Sequence, residues 1–177
     1  MSAADFDRTA NRLGALALRL TDRMERAVAS QGARSLSAAT ALSAIETFLD
    51  GPSIDTLRQV LGLSSSAVVR LVDGLVTDGL VARSKGSDAR VTTVALTARG
   101  RRVARAIVAA RADVLADALR PLSAADRAAL EPVLDAVLIG LVQGPRPGPA
   151  MCRLCDTQMC GAQRGRPCPI TQRALGV

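Results

Sequence analysis

The stretch MCRLCDTQMCGAQRGRPCPI, residues 151–170, holds every cysteine of the chain. Cys152, Cys155, Cys160 and Cys168 are spaced C-x2-C-x4-C-x7-C and follow 151 cysteine-free residues. Thiolates are soft ligands, and four in one short segment can complete a metal's coordination shell. Gly161, Gly165, Pro167 and Pro169 let the chain wrap around a centre. Three chemistries compete. An iron–sulfur cluster, two-iron or four-iron, suits the irregular spacing and the proline after the last cysteine. A structural tetrahedral zinc usually takes two tight pairs, and only Cys152 and Cys155 form one. A metal-free thiol switch would form disulfides in one of three pairings. The cluster is the leading expectation, and zinc is the alternative.

The rest of the composition narrows the field. The chain has 177 residues, no histidine and a net charge of +7. Without histidine there is no Ser-His-Asp or Cys-His arrangement and no imidazole metal ligand. Lys85 is the only lysine, so amine catalysis has little to work with, and the expectation is that the protein is not an enzyme. The N-terminus MSAADFDRTANR lacks the basic-then-apolar order of a signal peptide. No apolar run reaches the roughly 20 residues that span a bilayer. Both point to the cytoplasm and away from a membrane. There, thiols stay reduced and clustered cysteines more often bind metal. Basic residues concentrate at Arg83, Lys85, Arg90, Arg99, Arg101 and Arg102 against Asp88 alone, and again along the tail. Such patches suggest an anionic partner, nucleic acid above all.

The elements that would position these groups follow from periodicity and caps. Leu13, Leu16, Ala17, Leu20, Met24, Ala27 and Val28 mark a long helix over 5–30, which Gly32 breaks. A second helix over 37–50 ends at Asp50-Gly51-Pro52. Ser53 caps a short third helix. Leu61-Gly62-Leu63 separates it from a fourth, capped by Ser64 and running to about Asp78. The pattern then turns β-like at 80–83 and 91–97, around the polar loop Ser84–Ala89. A helix over 98–119 ends at Pro121. Ser123 and Asp126 form a capping box for a last helix to about Val142, which Pro132 is expected to kink or split. Residues 143–149, QGPRPGP, are a hinge. There is no internal repeat.

Two short helices, a tight turn and a hairpin make a winged helix-turn-helix within residues 53–97. Its second helix is the candidate reader of a DNA major groove. Val68, Leu71, Val72 and Leu75 face the core, which turns Ser65, Ser66, Val69, Arg70 and Asp73 outward. Small polar side chains with one arginine suit base edges and phosphates. Arg83, Lys85 and Arg90 offer the wing to a phosphate backbone or minor groove. The fold class expected is mainly α with a small β-hairpin wing, a winged helix-turn-helix plus a helical dimerisation domain. Its parts are a dimerisation helix (5–34), the DNA-binding unit (35–97), C-terminal dimerisation helices (98–142) and the four-cysteine tail (143–177).

Residues 53–100 resemble the MarR family of bacterial transcriptional regulators. The resemblance rests on L-x-x-x-L-G-L-S at the turn, L-x-x-x-G-L-V-x-R into the first strand, Asp88 and Arg90 in the wing, and Leu96, Thr97 and Gly100. With the helical order on either side it extends over about 5–142. It implies a homodimer built from the first helix and the last two, on a palindromic double-stranded operator. It also implies a repressor released by a ligand or oxidant, with Ser64, Ser65, Ser66, Val69, Arg70, Arg83, Lys85, Asp88 and Arg90 at the DNA. By the same resemblance Asp88 orients Arg90 toward the minor groove. Dimerisation has a physical motive too, since three long amphipathic helices cannot all bury themselves on one small winged unit.

The tail departs from that family. The leading functional expectation is a dimeric repressor whose operator binding responds to a cluster at Cys152, Cys155, Cys160 and Cys168, sensing redox state, oxygen or iron. One alternative is a repressor answering to a small-molecule effector, its four cysteines holding structural zinc. Another is a cluster-bearing redox protein that does not bind DNA.

Overall fold

A computed structural model describes residues 3–86, 91–141 and 168, with side chains from residue 7 onward. Among these residues the chain forms four helices, a hairpin and two further helices, in the order expected. They are α1 (Ala3–Ala29), α2 (Leu36–Thr47), α3 (Ile54–Leu61), α4 (Ser65–Thr77), β1 (Val81–Lys85), β2 (Thr92–Leu96), α5 (Ala98–Leu119) and α6 (Ala124–Gly140).

Serine or threonine hydroxyls start five of these helices. Ser35, Ser53, Ser64, Thr97 and Ser123 each accept a backbone N–H three residues on, satisfying one orphan donor of the first turn. α2 reads LSAATALSAIET and is buried on nearly every face. Its alanines allow neighbours to approach closely, so it forms the centre of the body, as a helix apolar all round must. Leu42, Leu57, Leu80, Ile107, Val68, Val72 and Val94 are fully buried. They join α2, the α3–α4 pair, the hairpin and α5 in one core.

The hairpin is antiparallel, pairing Val81 with Leu96, Arg83 with Val94 and Lys85 with Thr92. Its first strand runs on through Ser84 and Lys85, two residues beyond the expected end, because the ladder continues to the Gly86 N–H bonding to Val91 at 2.8 Å. Thr97 leaves the second strand to cap α5. A short bridge between Ser53 and Thr93, with the Val94 N–H donating to Pro52 at 2.9 Å, ties the segment before α3 to the wing. α2 stops at Thr47, short of the expected 50, because Phe48 leaves helical geometry and Leu49 N–H closes back on Ala44.

The expected split of the last helix at Pro132 does not occur. α6 runs as a single helix through Pro132. Proline removes one backbone bond, the donor to Ala128. The capping box upstream, where Ser123 and Asp126 each take the other's backbone N–H, starts the helix regardless.

α6 buries none of its residues, and Leu119, Val133, Leu134, Val137, Leu138 and Leu141 lie exposed along it and the end of α5. The first half of α1 is likewise bare, with Leu13, Leu16 and Leu18 at 48, 52 and 66% exposure. Only the later part of α1 packs, through Val28 and an ion pair of Arg23 with Asp117 of α5 at 3.3 Å.

Candidate nucleic-acid interface

α3 and α4 bend by 110° across residues 62–64, within the range of helix-turn-helix units. The turn needs φ = 64° at Gly62, a left-handed value that costs glycine least. Val68, Val72 and Leu75 lie in the core, with Leu71 packed against it. That burial fixes the rotation of α4 about its axis, so Ser64, Ser65, Ser66, Val69, Arg70 and Asp73 are exposed.

The first turn of α4 holds no acidic residue, so the free N–H groups and positive end of the helix dipole are open to an anion. Ser64 serves as the cap, its Oγ accepting from Ala67 N–H at 3.3 Å. Its oxygen is therefore engaged within the helix, and it also lies 3.4 Å from Ser66 Oγ, which leaves Ser65 as the freer hydroxyl. Arg70 has no ion pair among the described residues. Val69, 41% exposed, is an apolar side chain on the outward face, the type that meets a thymine methyl.

Lys85 is exposed on β1. Arg83 is different. Its Nη2 lies 2.7 Å from Asp73 Oδ1, so a wing strand is paired to the reading face of α4. No short-range pattern announces a contact between residues on a helix and a strand ten positions apart. Two arginines of the basic run hold backbone carbonyls. Arg99 donates to the Asp78 carbonyl at 3.0 Å and Arg101 to the Leu96 carbonyl at 3.1 Å. Asp88 and Arg90 lie outside the described residues.

The reading head is locked to the helical body at one joint. Thr97 Oγ1 donates to the Gly79 carbonyl at 2.7 Å, and Thr97 N–H to Leu80 at 3.0 Å. A Cβ on Gly100 would sit 1.8 Å from the Leu80 carbonyl oxygen. Arg34, before α2, pairs with Asp78 at the end of α4. A cavity of about 230 Å³ lies here, lined by Arg34, Ser35, Arg70, Leu71, Gly74 and Asp78 among others.

Of the four cysteines, Cys152, Cys155 and Cys160 lie outside the described residues. Cys168 is buried, and among the described residues it forms no disulfide. Among the described residues no single helix is long and apolar enough to cross a membrane.

Comparison with known proteins shows what this geometry is similar to. The MarR family model matches residues 34–90. No curated protein matches the chain. Among solved structures, a MarR family protein from Bacillus stearothermophilus superimposes with a TM-score of 0.70 at 22% identity, over 81% of this chain and 99% of that one. RV1404 from Mycobacterium tuberculosis gives 0.67 at 25% identity, over 77% and 92%. The YusO protein from Bacillus subtilis gives 0.67 at 20%, over 77% and 97%. These likenesses extend the shared fold well beyond the matched segment, to the helices on either side of it. Residues 34–90 thus match the MarR family model, and the described residues share the fold of solved MarR family structures.

Proposed function

We propose that the chain acts as a homodimeric DNA-binding repressor on a palindromic operator, with α4 in the major groove and the wing beside it. The observation that carries this is the rotation of α4. Its apolar stripe is buried, and Ser65, Ser66, Val69 and Arg70 stand together on the outside at an acid-free helix start. The bare apolar faces of α1 and α6, with Leu119 at the end of α5, support the dimer. Two copies would then present two reading helices, and successive major grooves require them about 34 Å apart. Binding to a duplex from upstream of the gene, followed by fluorescence anisotropy, tests the reading. Affinity at about 100 mM salt should be specific and should fall steeply as salt rises. Equal affinity for a scrambled duplex sinks the operator assignment.

The four cysteines support a metal centre by their chemistry as a donor set, with an iron–sulfur cluster favoured over zinc. A cluster would supply a reversible one-electron change, and the chain's own contribution would be the thiolates and the offsetting Arg153, Arg164 and Arg166. Absorption of air-free protein, with iron, sulfide and zinc assayed together, decides between them. Bands between about 320 and 600 nm with stoichiometric iron mean a cluster. A colourless protein with one zinc per chain means a structural site. In that case regulation by a small molecule gains weight, because the cavity beside Arg34 and Arg70 touches both the body and the reading helix.

A further inference from the structure

α4 carries a single acidic side chain, Asp73, and it lies on the outward face with Ser66, Val69 and Arg70. A carboxylate on a face that meets phosphates opposes binding unless a cation answers it. The cation is Arg83, at 2.7 Å. Both side chains are substantially exposed, at 52 and 36%, so the pair adds little to stability. Its effect is geometric. Arg83 sits on β1 opposite the fully buried Val94, so the backbone beneath it is fixed, while its long side chain is free to swing. Asp73 removes that freedom. One edge of the guanidinium is held against α4, and the planar group keeps further N–H donors to present in a defined direction.

We propose that Asp73 is a specificity-determining residue that acts through Arg83. It docks the guanidinium against the recognition helix, so that helix and wing meet a DNA duplex as one rigid surface rather than two independently adjusting ones. This rests on the DNA-reading assignment above. A released Arg83 would still find phosphates, because any duplex offers them. It would no longer find them in only one register. Loss of Asp73 should therefore cost discrimination rather than attraction.

The experiment uses the full-length protein and two duplexes of about 30 base pairs. One is the tightest sequence that the wild type selects from a random pool, and the other is a scrambled version of it. In Asp73→Asn the ratio of affinities for the two should fall about tenfold. Binding to the scrambled duplex should hold or tighten, and the salt slope should steepen by about one phosphate contact. In an Arg83→Gln background, Asp73→Asn should change the ratio no further. An unchanged ratio in Asp73→Asn overturns the proposal, as does an equal fall in both backgrounds. Should Asp73→Asn melt far below the wild type, Asp73→Glu replaces it. Its retained charge should keep the ratio within about threefold of the wild type, and a tenfold loss overturns the idea. A wild type that selects no sequence from the pool removes the DNA-reading assignment itself, and this inference with it.

Discussion

Arg70 and Gly100 show how differently single side chains serve the same surface. Arg70 is exposed on α4 and free of ion pairs among the described residues, so its charge is available to a partner. Arg70→Ala should leave the melting temperature within about 1 °C, since surface changes away from special features are nearly neutral. It should weaken operator binding about tenfold or more, the scale of one lost base or phosphate contact. Anisotropy and thermal melts on the same variant separate the two. Gly100 carries no chemistry, yet a Cβ there would lie 1.8 Å from the Leu80 carbonyl oxygen. The backbone must move, and the joint between α5 and the reading head must open. Gly100→Ala should cost about 3 kcal/mol or more, read by chemical denaturation.

Helices start here by a repeated device, a hydroxyl cap, and in α6 the device is complete. Asp126 accepts from Ser123 Oγ at 2.7 Å and from Ser123 N–H at 3.1 Å. These bonds hold its carboxyl below the ordinary value of 3.8. Asp55 at the start of α3 is lowered in the same way, chiefly by its hydrogen bond from Arg58. A carboxyl with a lowered folded value favours the folded state above its ordinary value. That contribution is lost as pH falls through the lower folded value. Asp126→Asn should therefore melt below the wild type at pH 7, and the difference should shrink as pH drops toward 3. Circular dichroism melts across that range give the test, and a constant difference would mean that the charge plays no part. α6 is the sensitive element because it buries none of its own residues, so within one chain its first turn has little but the cap to hold it.

At the scale of the whole molecule, the described residues leave apolar faces bare on two helices. Leu13, Leu16 and Leu18 on α1, and Val133, Leu134, Val137 and Leu138 on α6, lie exposed. Contiguous apolar faces of this kind mark interaction surfaces. On the proposed dimer, Leu134→Asp would place a charge in the interface. Light scattering should then show a monomer, and operator binding should fall by more than a hundredfold, because each half-site is held far more weakly alone. The proposed metal centre offers a test at the other end of the chain. A chelator that strips the four-cysteine centre should shift operator affinity some 5–150-fold if that centre is coupled to the reading heads. Affinity should be unchanged if the metal only staples the tail.

Much of this was legible in the chain because it is local. Hydroxyl caps, Gly62 at the turn, Pro121 after α5 and the 3.6-residue apolar stripe of α4 each depend on neighbours a few residues away. So the element order, the helix-turn-helix and the outward set Ser65, Ser66, Val69, Arg70 and Asp73 could be read from spacing alone. Pro132 does not split α6, because a proline signal is local while the persistence of a helix is not. What only folding decided are the contacts between residues distant in sequence. Arg83 belongs with Asp73, Arg99 holds the Asp78 carbonyl, and Gly100 is a glycine because Leu80 lies against it. A charge in a sequence announces its sign but not its partner. That partner is chosen when burial of Val68, Val72, Leu75 and Val94 sets α4 and the wing side by side.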